Sequence, residues 1–182
     1  MTLLEAHNQI LALLGMPPIN SLSAGNSIAS KISASIDRAR KRILRAAPYK
    51  FGVQTDLTAN ADSEIAVSQY LRVIYPEQLQ SKLTELNGIV WDIENNQAYS
   101  ETISDAIVVA DIAFDQISSY AWQEYIALEA AAEMSMMLSD VDQNYAVIRQ
   151  QAMAARKKAY NENPVSIKSA FGVNSALRGF HA

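Results

Sequence analysis

The amino-acid sequence predicts an α+β fold in which a four-helix bundle carries an inserted small, mostly antiparallel β-sheet and an extended C-terminal tail. Apolar residues recur at helical spacing near both ends of the chain, whereas the middle alternates with a period of two. The 182 residues suffice for one domain with a small insertion. The chain has no cysteine, which excludes disulfides, thiolate metal sites and cysteine nucleophiles.

The predicted boundaries divide the chain into three parts. The helical bundle combines residues 1–48 with 119–163, the inserted β-sheet region covers 49–118, and the C-terminal docking tail covers 164–182. No apolar stretch approaches the ~20 residues needed to cross a bilayer, and the first residues lack the positive charge of a secretory signal. We therefore expect no membrane partner.

The first helix is predicted to be short. Thr2 followed by Glu5 three residues later is a capping-box pattern, and Gly15 with Pro17 and Pro18 ends the helix.

The second helix is predicted over about residues 26–46, because Pro48 disfavours helical backbone before it. Its apolar residues share one face. Lys31, Arg38, Arg42 and Arg45 form a basic stripe beside that face, so we expect them to remain free for a partner.

The middle of the chain predicts four or five strands in one small sheet. They cover residues 51–57, 70–75, 82–86, 89–93 and 105–114. Asn87-Gly88 predicts a type I′ hairpin turn, since both positions of that turn need positive φ. The last strand is apolar on both faces, which is typical of a central strand.

Two helices follow the sheet. The first, from Ser119 to about Leu138, is apolar nearly all round and belongs at the centre of a bundle or in a subunit interface. The second starts near Asp140, which with Gln143 can cap it, and ends near Asn161. Its predicted buried seam consists of Tyr145, Ile148, Ala152, Ala155 and Ala159.

Charge is unevenly distributed along the chain. Residues 1–50 carry seven basic and two acidic residues, residues 51–139 carry two and fourteen, and residues 140–182 carry six and three. An acidic middle therefore lies between two basic ends, a pattern that concerns partners more than fold. The tail has no acidic residue and irregularly spaced apolar residues, so it either wraps its own domain or docks on another chain.

Residues suited to catalysis are scarce. The two histidines, His7 and His181, lie in an apolar helix stripe and at the end of the tail, and we expect His7 to be a hydrogen-bonded core residue. No glycine-rich phosphate loop and no metal-ligand spacing is present. We expect no catalytic residue, no cofactor and no metal.

Two other functions remain open from the residues. Paired carboxylates in the acidic middle, such as Asp92 with Glu94 and Glu101 with Asp105, are what a cell-wall-degrading enzyme needs. The basic stripe would suit a helical nucleic-acid-binding protein, although no aromatic residue is interleaved with it and the isoelectric point is about 5.2.

Several segments together resemble the tail tubular protein A family of short-tailed phages over most of residues 3–160. They are Asn8-Gln9-Ile10-Leu11-Ala12, Gly15-Met16-Pro17-Pro18-Ile19 with Ser21-Leu22, Ala39-Arg40-Lys41-Arg42-Ile43-Leu44, Gly88-Ile89-Val90-Trp91-Asp92, and the helix pair at 122–132 and 143–160. The resemblance implies a virion structural protein and no enzyme. It implies a head-to-tail adaptor ring, twelvefold in relatives and monomeric in isolation, that binds the portal protein and the tail nozzle protein.

The same resemblance implies assembly in the host cytoplasm, a portal-proximal position in the virion tail, and a channel through which DNA only passes during ejection. Expected portal or neighbour contacts are Arg38, Arg42, Arg45, Ile167, Phe171, Leu177, Arg178 and Phe180. Expected lumen-facing acidic residues are Asp92, Glu94, Glu101 and Asp105. Such a wall repels phosphates within about a Debye length, ~8 Å.

Overall fold

A computed structural model describes residues 1–22, 27–138 and 142–162 of the chain, with the side chains of 142 and 143 excepted. The helices are α1 (Leu3–Leu13), α2 (Ser27–Ala46), α3 (Pro48–Phe51), α4 (Tyr120–Met137) and α5 (Asp142–Asn161). The strands are β1 (Val53–Leu57), β2 (Tyr70–Ile74), β3 (Leu83–Leu86), β4 (Ile89–Asp92), β5 (Gln97–Ala98) and β6 (Ile103–Ala110), with 3₁₀ turns at Glu77–Leu79 and Phe114–Gln116. The α+β class is confirmed.

The described residues form two compact units. The helical unit contains residues 1–43 and 112–162, and the sheet unit contains residues 44–111, within the described ranges. No helix in these ranges is long and apolar enough to cross a membrane.

The start of α1 confirms the predicted capping box. The Thr2 hydroxyl accepts a hydrogen bond from the Glu5 amide at 3.2 Å, and the Glu5 carboxylate accepts one from the Thr2 amide at 2.7 Å. Gly15, at φ +71°, follows the end of the helix. Both ends of α1 are therefore determined by local sequence.

The centre of the helical unit is α4. Twelve of its eighteen residues are buried, as its apolar composition predicts, and Trp122 and Ile126 are fully enclosed. Ser119 caps the helix by accepting a hydrogen bond from the Trp122 amide at 3.3 Å.

Packing of α5 against α4 uses a narrow seam of small residues. Ile148, Ala152, Ala155 and Ala159 are each at most 6% exposed, whereas Tyr145 is only half-buried. Alanines at heptad spacing let two helix backbones approach closely, because no long side chain separates them. The predicted seam is confirmed, with Tyr145 at its edge. The predicted cap by Asp140 and the first residue of α2, Asn26, lie outside the described residues.

The sheet unit contains two antiparallel three-stranded sheets, in the orders β1-β6-β2 and β3-β4-β5. The prediction of one sheet with four or five strands is therefore wrong. The strand that the sequence misses, β5, has two residues, which is too short to show a period of two. One hydrophobic core draws residues from both sheets, including Leu57, Val90 and Ile103.

The centre of the first sheet is β6, as its two apolar faces predict. It begins at Ile103 and ends at Ala110, so the predicted end at Phe114 is wrong, because Phe114 starts a 3₁₀ turn.

The predicted first strand also starts too early. Phe51 ends the one-turn helix α3, in which Pro48 occupies the favoured first position. Gly52 then allows a close approach, since a Cβ atom there would lie 2.4 Å from both the Ile107 side chain and the Pro48 carbonyl oxygen.

The β3–β4 hairpin matches its prediction. Asn87 and Gly88 have φ values of 53° and 80°, as a type I′ turn requires. A Cβ atom on Gly88 would lie 2.8 Å from the Ser68 Cβ, so both conformation and space favour glycine.

Candidate functional site

The basic stripe of α2 is engaged within the chain. Arg38 contacts Glu133 of α4 at 2.5 Å, and Arg42 contacts Glu129 of α4 at 2.9 Å. The expectation that these guanidinium groups are free is therefore wrong. The two arginine side chains nevertheless remain 52% and 59% exposed, so each presents part of its guanidinium to solvent.

Arg45 is held in a different way, in the sheet unit. Its Nε donates a hydrogen bond to the Leu71 carbonyl at 3.1 Å, while Arg72 donates one to the Arg45 carbonyl at 2.8 Å. The Arg72 guanidinium thus satisfies a carbonyl at the C-terminal end of α2, where a cation is favoured.

Glu129 connects three helices. Its carboxylate accepts from Arg42 of α2 and, at 2.6 Å, from Arg149 of α5, while its own side chain is only 11% exposed. Lys158 of α5 pairs with Glu124 of α4 at 3.3 Å. The glutamates of α4 therefore act as the common anionic partner for basic residues on both neighbouring helices.

Sequence reasoning missed this role of Glu124, Glu129 and Glu133. The available signal was that α4, otherwise apolar nearly all round, has these three acidic residues, whereas the two other long helices, α2 and α5, are rich in basic residues. An acidic side chain on a buried helix needs a paired cation, because burying an unpaired charge is costly.

Arg40 is a further engaged cation and is only 7% exposed. It donates to the Ile112 carbonyl and pairs with Asp37 at 2.5 Å, and Lys41 approaches the same carboxylate at 3.0 Å. The hydrogen bond from Arg40 is the main cause that lowers the pKa of Asp37 below its ordinary value.

The acidic residues of the sheet unit have mainly neutral partners. Asp92 is buried and accepts hydrogen bonds from the backbone and side-chain amides of Asn95 at 3.0 and 2.7 Å, and the backbone bond is the main cause that lowers its pKa. We therefore assign Asp92 to the turn after β4. Its sequence neighbour Glu94 is exposed and pairs with Lys82 at 3.4 Å.

The other two predicted acidic residues are exposed. Glu101 accepts a hydrogen bond from the Tyr99 hydroxyl at 3.3 Å, and Asp105 accepts one from the Gln54 amide at 2.7 Å. Asp105 lies at φ +60°, and its own amide donates to Asp56. The pairs proposed for an enzyme, Asp92 with Glu94 and Glu101 with Asp105, therefore each contain residues with separate structural partners.

His7 is a core residue, as predicted. It is fully buried, and its Nδ1 donates to the Leu3 carbonyl at 2.8 Å. Its Nε2 lies within hydrogen-bond distance of the Ser33 hydroxyl, at 2.9 Å, and of the Ala29 carbonyl oxygen, at 3.2 Å. His181 and the predicted tail contacts lie outside the described residues; these contacts are Ile167, Phe171, Leu177, Arg178 and Phe180.

An open cleft of about 340 Å³ lies in the helical unit. It is lined by Gln9, Glu124, Leu128, Gln151, Ala154, Ala155 and Lys158. The single carboxylate in this lining, Glu124, is paired with Lys158, so the cleft lacks the two carboxylates of a glycosidase. Across the described ranges, no group of three or more metal-ligating side chains is arranged to hold an ion.

A family model described as "Tail tubular protein" matches residues 4–168 of the chain. A search of curated proteins finds no match.

Proposed function

The chain belongs to the tail tubular protein family, and from that premise we propose that it is the head-to-tail adaptor of a short-tailed phage, forming a ring between the portal and the tail nozzle. The family match over residues 4–168 carries this proposal. The family is a structural one, which gives the chain a role in the virion tail. The proposal adds a portal-proximal position and assembly in the host cytoplasm.

The proposed ring contains twelve copies and surrounds a channel through which DNA passes, whereas the isolated chain is monomeric. The exposed carboxylates Glu101 and Asp105 support a negative channel wall, since their hydrogen-bond partners, the Tyr99 hydroxyl and the Gln54 amide, are neutral. Glu94 is also exposed, but it pairs with Lys82. A negative wall keeps DNA from adhering, because its repulsion of phosphates acts over about ~8 Å at physiological salt.

The proposed architecture is a four-helix bundle of α1, α2, α4 and α5, made by residues 1–48 and 119–163. The sheet region 49–118 is inserted into it, and residues 164–182 form an extended docking tail. Portal contacts are assigned to the tail and to the basic stripe. The exposed guanidinium surface of Arg38 and Arg42 supports the second assignment.

Deletion of residues 164–182 tests the docking role. The truncated chain is expected to keep its helical circular dichroism and thermal transition but to form no ring on the cognate portal protein in mass photometry. A milder variant changes Phe171 and Phe180 to Ser, and its matched control changes Ser169 and Asn174 to Ala. Normal ring formation by the truncated chain would remove the tail from the proposal.

A density map of the assembled ring tests the channel wall. We expect Glu101 and Asp105 to face the lumen, and Glu101→Lys to slow DNA release from assembled particles because it places a cation beside the phosphates. Both carboxylates on the outer wall would contradict the repulsion argument.

Zymography on peptidoglycan tests the adaptor against an enzyme. We expect no clearing by the purified chain. Reproducible clearing that is lost on changing one of the sheet unit's carboxylates would replace the adaptor proposal.

A further inference from the structure

The outer strands of the two sheets have a hydrogen-bonded neighbour on one side only, within the described residues. They are β1 and β2 in the first sheet, and β3 in the second sheet, where it borders β4. The open side of such a strand exposes a row of backbone N–H and C=O groups with which another chain can pair. Proteins commonly block these edges with bulges or charged side chains, so the three edges differ in how well they could accept a strand.

Both edges of the first sheet are interrupted. The register of β1 on β6 shifts beyond Thr55, and the register of β2 on β6 shifts before Arg72. Such irregularities bend a strand and disturb its pairing. On β2, the Arg45 side chain also donates a hydrogen bond to the Leu71 carbonyl at 3.1 Å. Neither strand therefore offers an unbroken row of backbone groups.

The edge of β3 is regular. Its four residues pair with β4 without a shift in register. The Ile93 amide donates to the Lys82 carbonyl at 2.8 Å, which shows that the even-numbered residues on this strand bond to β4. Leu83 and Glu85 alternate with them, so their backbone groups point away from β4. These groups form the open edge.

The two faces beside this edge differ in polarity. Leu86 lies on the outer face of the hairpin and is 44% exposed. Glu85 lies on the opposite face, with Val90, and is exposed at the edge of the sheet. Lys82 pairs with Glu94 at 3.4 Å, and no cation pairs with Glu85 in the described part of the chain. A complementary strand would have an apolar residue on one face and a cation on the other.

The first part of the tail has this pattern. Although apolar spacing is irregular across the whole tail, residues 165–173 alternate, and the only charge among them is Lys168, at an even-numbered position. The apolar residues at odd-numbered positions are Val165, Ile167, Phe171 and Val173. In an extended conformation this segment would have one apolar face and one face with a cation.

We propose that residues 165–173 of the tail add an antiparallel strand to the β3 edge of the next copy of this chain. The inference rests on the proposed adaptor function, for which it names the contact between neighbouring subunits. Addition of a strand to an open sheet edge is a common mode of peptide recognition, in which main-chain hydrogen bonds give affinity and alternate side chains give specificity. The later tail residues Leu177, Arg178 and Phe180 remain for the portal.

The side chains select the register and the direction of the added strand. Lys168 lies opposite the exposed carboxylate of Glu85. In an antiparallel strand, Ile167 then lies opposite Leu86, so that charged and apolar side chains are both matched. A parallel strand with Lys168 beside Glu85 would instead place Ile167 beside the Thr84 hydroxyl. The antiparallel arrangement is therefore the complementary one.

Charge and backbone chemistry also select the tail over other occupants. Two β3 edges facing each other would bring carboxylates together without a cation between them. DNA would be repelled by Glu85, and it has no row of amide groups to extend a sheet. The tail has no acidic residue and supplies both the backbone and the cation.

The contact has the symmetry of a ring. It joins two different parts of the chain, so each copy gives its tail to one neighbour and accepts the tail of another. Such a head-to-tail contact closes into a ring when its rotation closes. Val165 is the third residue after Glu162, so about 10 Å of extended chain separates the end of α5 from the added strand. A portal that holds copies side by side raises the effective concentration of each tail at the next edge.

Engineered cysteines test the register, because the natural chain has none to interfere. The proposed register places Ser169 opposite Thr84 in a non-hydrogen-bonded pair, in which Cα atoms lie about 4.5 Å apart, a separation that a disulfide can span. Full-length Thr84→Cys and Ser169→Cys chains are mixed on the cognate portal protein and mildly oxidised. Linked dimers are expected on a non-reducing gel, whereas each variant oxidised alone should stay monomeric.

The matched control replaces Ser169→Cys with Ala170→Cys. Residue 170 faces the other side of the added strand in the proposed register, so its mixture with Thr84→Cys should give few linked dimers. Equal yields from the two mixtures would contradict the register.

The other occupants give distinct results. Linked dimers from Ser169→Cys alone would mean that tails meet tails, and linked dimers from Thr84→Cys alone would mean that β3 edges meet. A chain with both substitutions should give a ladder of linked oligomers on the portal. An internally linked monomer in its place would mean that the tail pairs with the sheet of its own copy. Each of these three alternatives would overturn the proposed contact.

Proline substitutions separate strand addition from docking through side chains alone. In the proposed register the Ala170 N–H points toward β3, whereas the Ser169 N–H points away from it. Ala170→Pro should therefore raise the concentration for half-maximal ring assembly several-fold, and Ser169→Pro should raise it less. Equal effects of the two prolines would contradict main-chain pairing.

Charge reversal provides a further readout in the full-length chain. Lys168→Glu should raise the concentration for half-maximal assembly several-fold, and adding Glu85→Lys should restore much of that loss. Equal assembly by the natural chain and both variants would contradict the charge pairing.

Mass photometry separates this inference from the adaptor function. Normal ring assembly on the portal by the mixed cysteine variants, without cross-linking, would overturn the contact and leave the adaptor role intact. Failure of the natural chain to assemble on the portal would overturn both.

Discussion

The two units use their carboxylates differently. In the helical unit, Glu124, Glu129 and Glu133 of α4 each pair with arginine or lysine from another helix. In the sheet unit, Asp92 and Asp105 are held by amide groups instead. The electric field of a carboxylate that is paired with a cation is largely cancelled at a distance by the field of that cation. The field of a carboxylate that is hydrogen-bonded only to neutral donors is not cancelled in this way.

This difference explains how an acidic chain can have both basic and acidic surfaces. Cations of α2 and α5 neutralise the glutamates of the helical unit, and the cations left over, such as Lys157, remain at its surface. The sheet unit has few cations, so its negative charge persists. Opposite surfaces on one chain favour contacts between copies.

The largest expected change in stability comes from a core substitution that tests whether the two units unfold separately. Ile126→Ala should lower the free energy of unfolding by about 2–5 kcal/mol, because it leaves a cavity beside the fully buried α4 side chains. Each unit has its own tryptophan, Trp122 in the helical unit and Trp91 in the sheet unit.

Urea titrations followed by tryptophan fluorescence report the two units separately. Ile126→Ala is combined with Trp91→Phe to leave Trp122 as the reporter of the helical unit, and with Trp122→Phe to leave Trp91 as the reporter of the sheet unit. The midpoint reported by Trp122 should fall, and the midpoint reported by Trp91 should change less. Ile103→Ala in the sheet unit is the matched control. It should lower the midpoint reported by Trp91 more than the midpoint reported by Trp122. Equal shifts in both would show that the units unfold together and would break the comparison.

A smaller effect is expected at the turn of the sheet unit. Gly88→Ala should cost about 1–2 kcal/mol through its positive φ, with a further cost from the Ser68 side chain 2.8 Å from the new Cβ. Gly15→Ala in the helical unit is the matched control, because it has φ +71° and nothing within 4 Å of its Cβ. Thermal unfolding of both variants measures the difference, and equal losses would show that Ser68 moves aside without cost.

A still smaller effect tests the charge pairing itself. Glu129→Gln should cost about 1 kcal/mol, since it weakens contacts with two arginines that are roughly half exposed. Glu101→Gln, whose partner is a neutral hydroxyl, should change stability by less than about 0.5 kcal/mol. A double-mutant cycle with Arg42→Gln isolates the cross-helix pair, and a coupling energy of zero would contradict the proposed difference between the units.

The smallest effect is a pH and salt dependence. The pKa values of Asp37 and Asp92 are both lowered, so the unfolded chain binds protons more readily at these groups. Each group therefore stabilises the fold above the ordinary carboxyl pKa, and that stability is lost as the pH falls below about 4.

Salt distinguishes the two groups. Asp37 owes its low pKa mainly to Arg40, whereas Asp92 owes it mainly to the amides of Asn95. Each aspartate contributes part of the decrease in the free energy of unfolding at acid pH, and its substitution by Asn measures that part. The part due to Asp37 should become smaller in 0.5 M NaCl, whereas the part due to Asp92 should stay the same. Urea titrations at pH 3 to 6 provide the measurement, and an equal salt effect on both would contradict the distinction.

Helix ends and the hairpin turn were predictable from the sequence, because the residues at these positions restrict the backbone conformation locally. Thr2 and Glu5 begin α1, Pro48 ends α2, and Asn87-Gly88 forms the hairpin turn, all as the sequence predicts. The burial of α4 also followed from its composition. The family was identified from short motifs spread along the chain, and the family match agrees.

The candidate surfaces were less predictable, because their state depends on residues distant in sequence. The basic stripe was correctly placed on one side of α2, yet its partners lie about 90 residues away on α4. The hydrogen-bond partner of Asp92 is Asn95, in a turn three residues further on, and the alternation of strand residues does not report that contact.

The sequence by itself determined the α+β class, the principal helices and strands, the hairpin and the uneven distribution of charge, since caps, prolines, glycines and hydrophobic periods act over a few residues. Tertiary structure alone decided that the strands form two sheets and which charges are paired. It also decided that Val147, Met153 and Leu86 are exposed, because pairing and burial depend on what packs against a side chain.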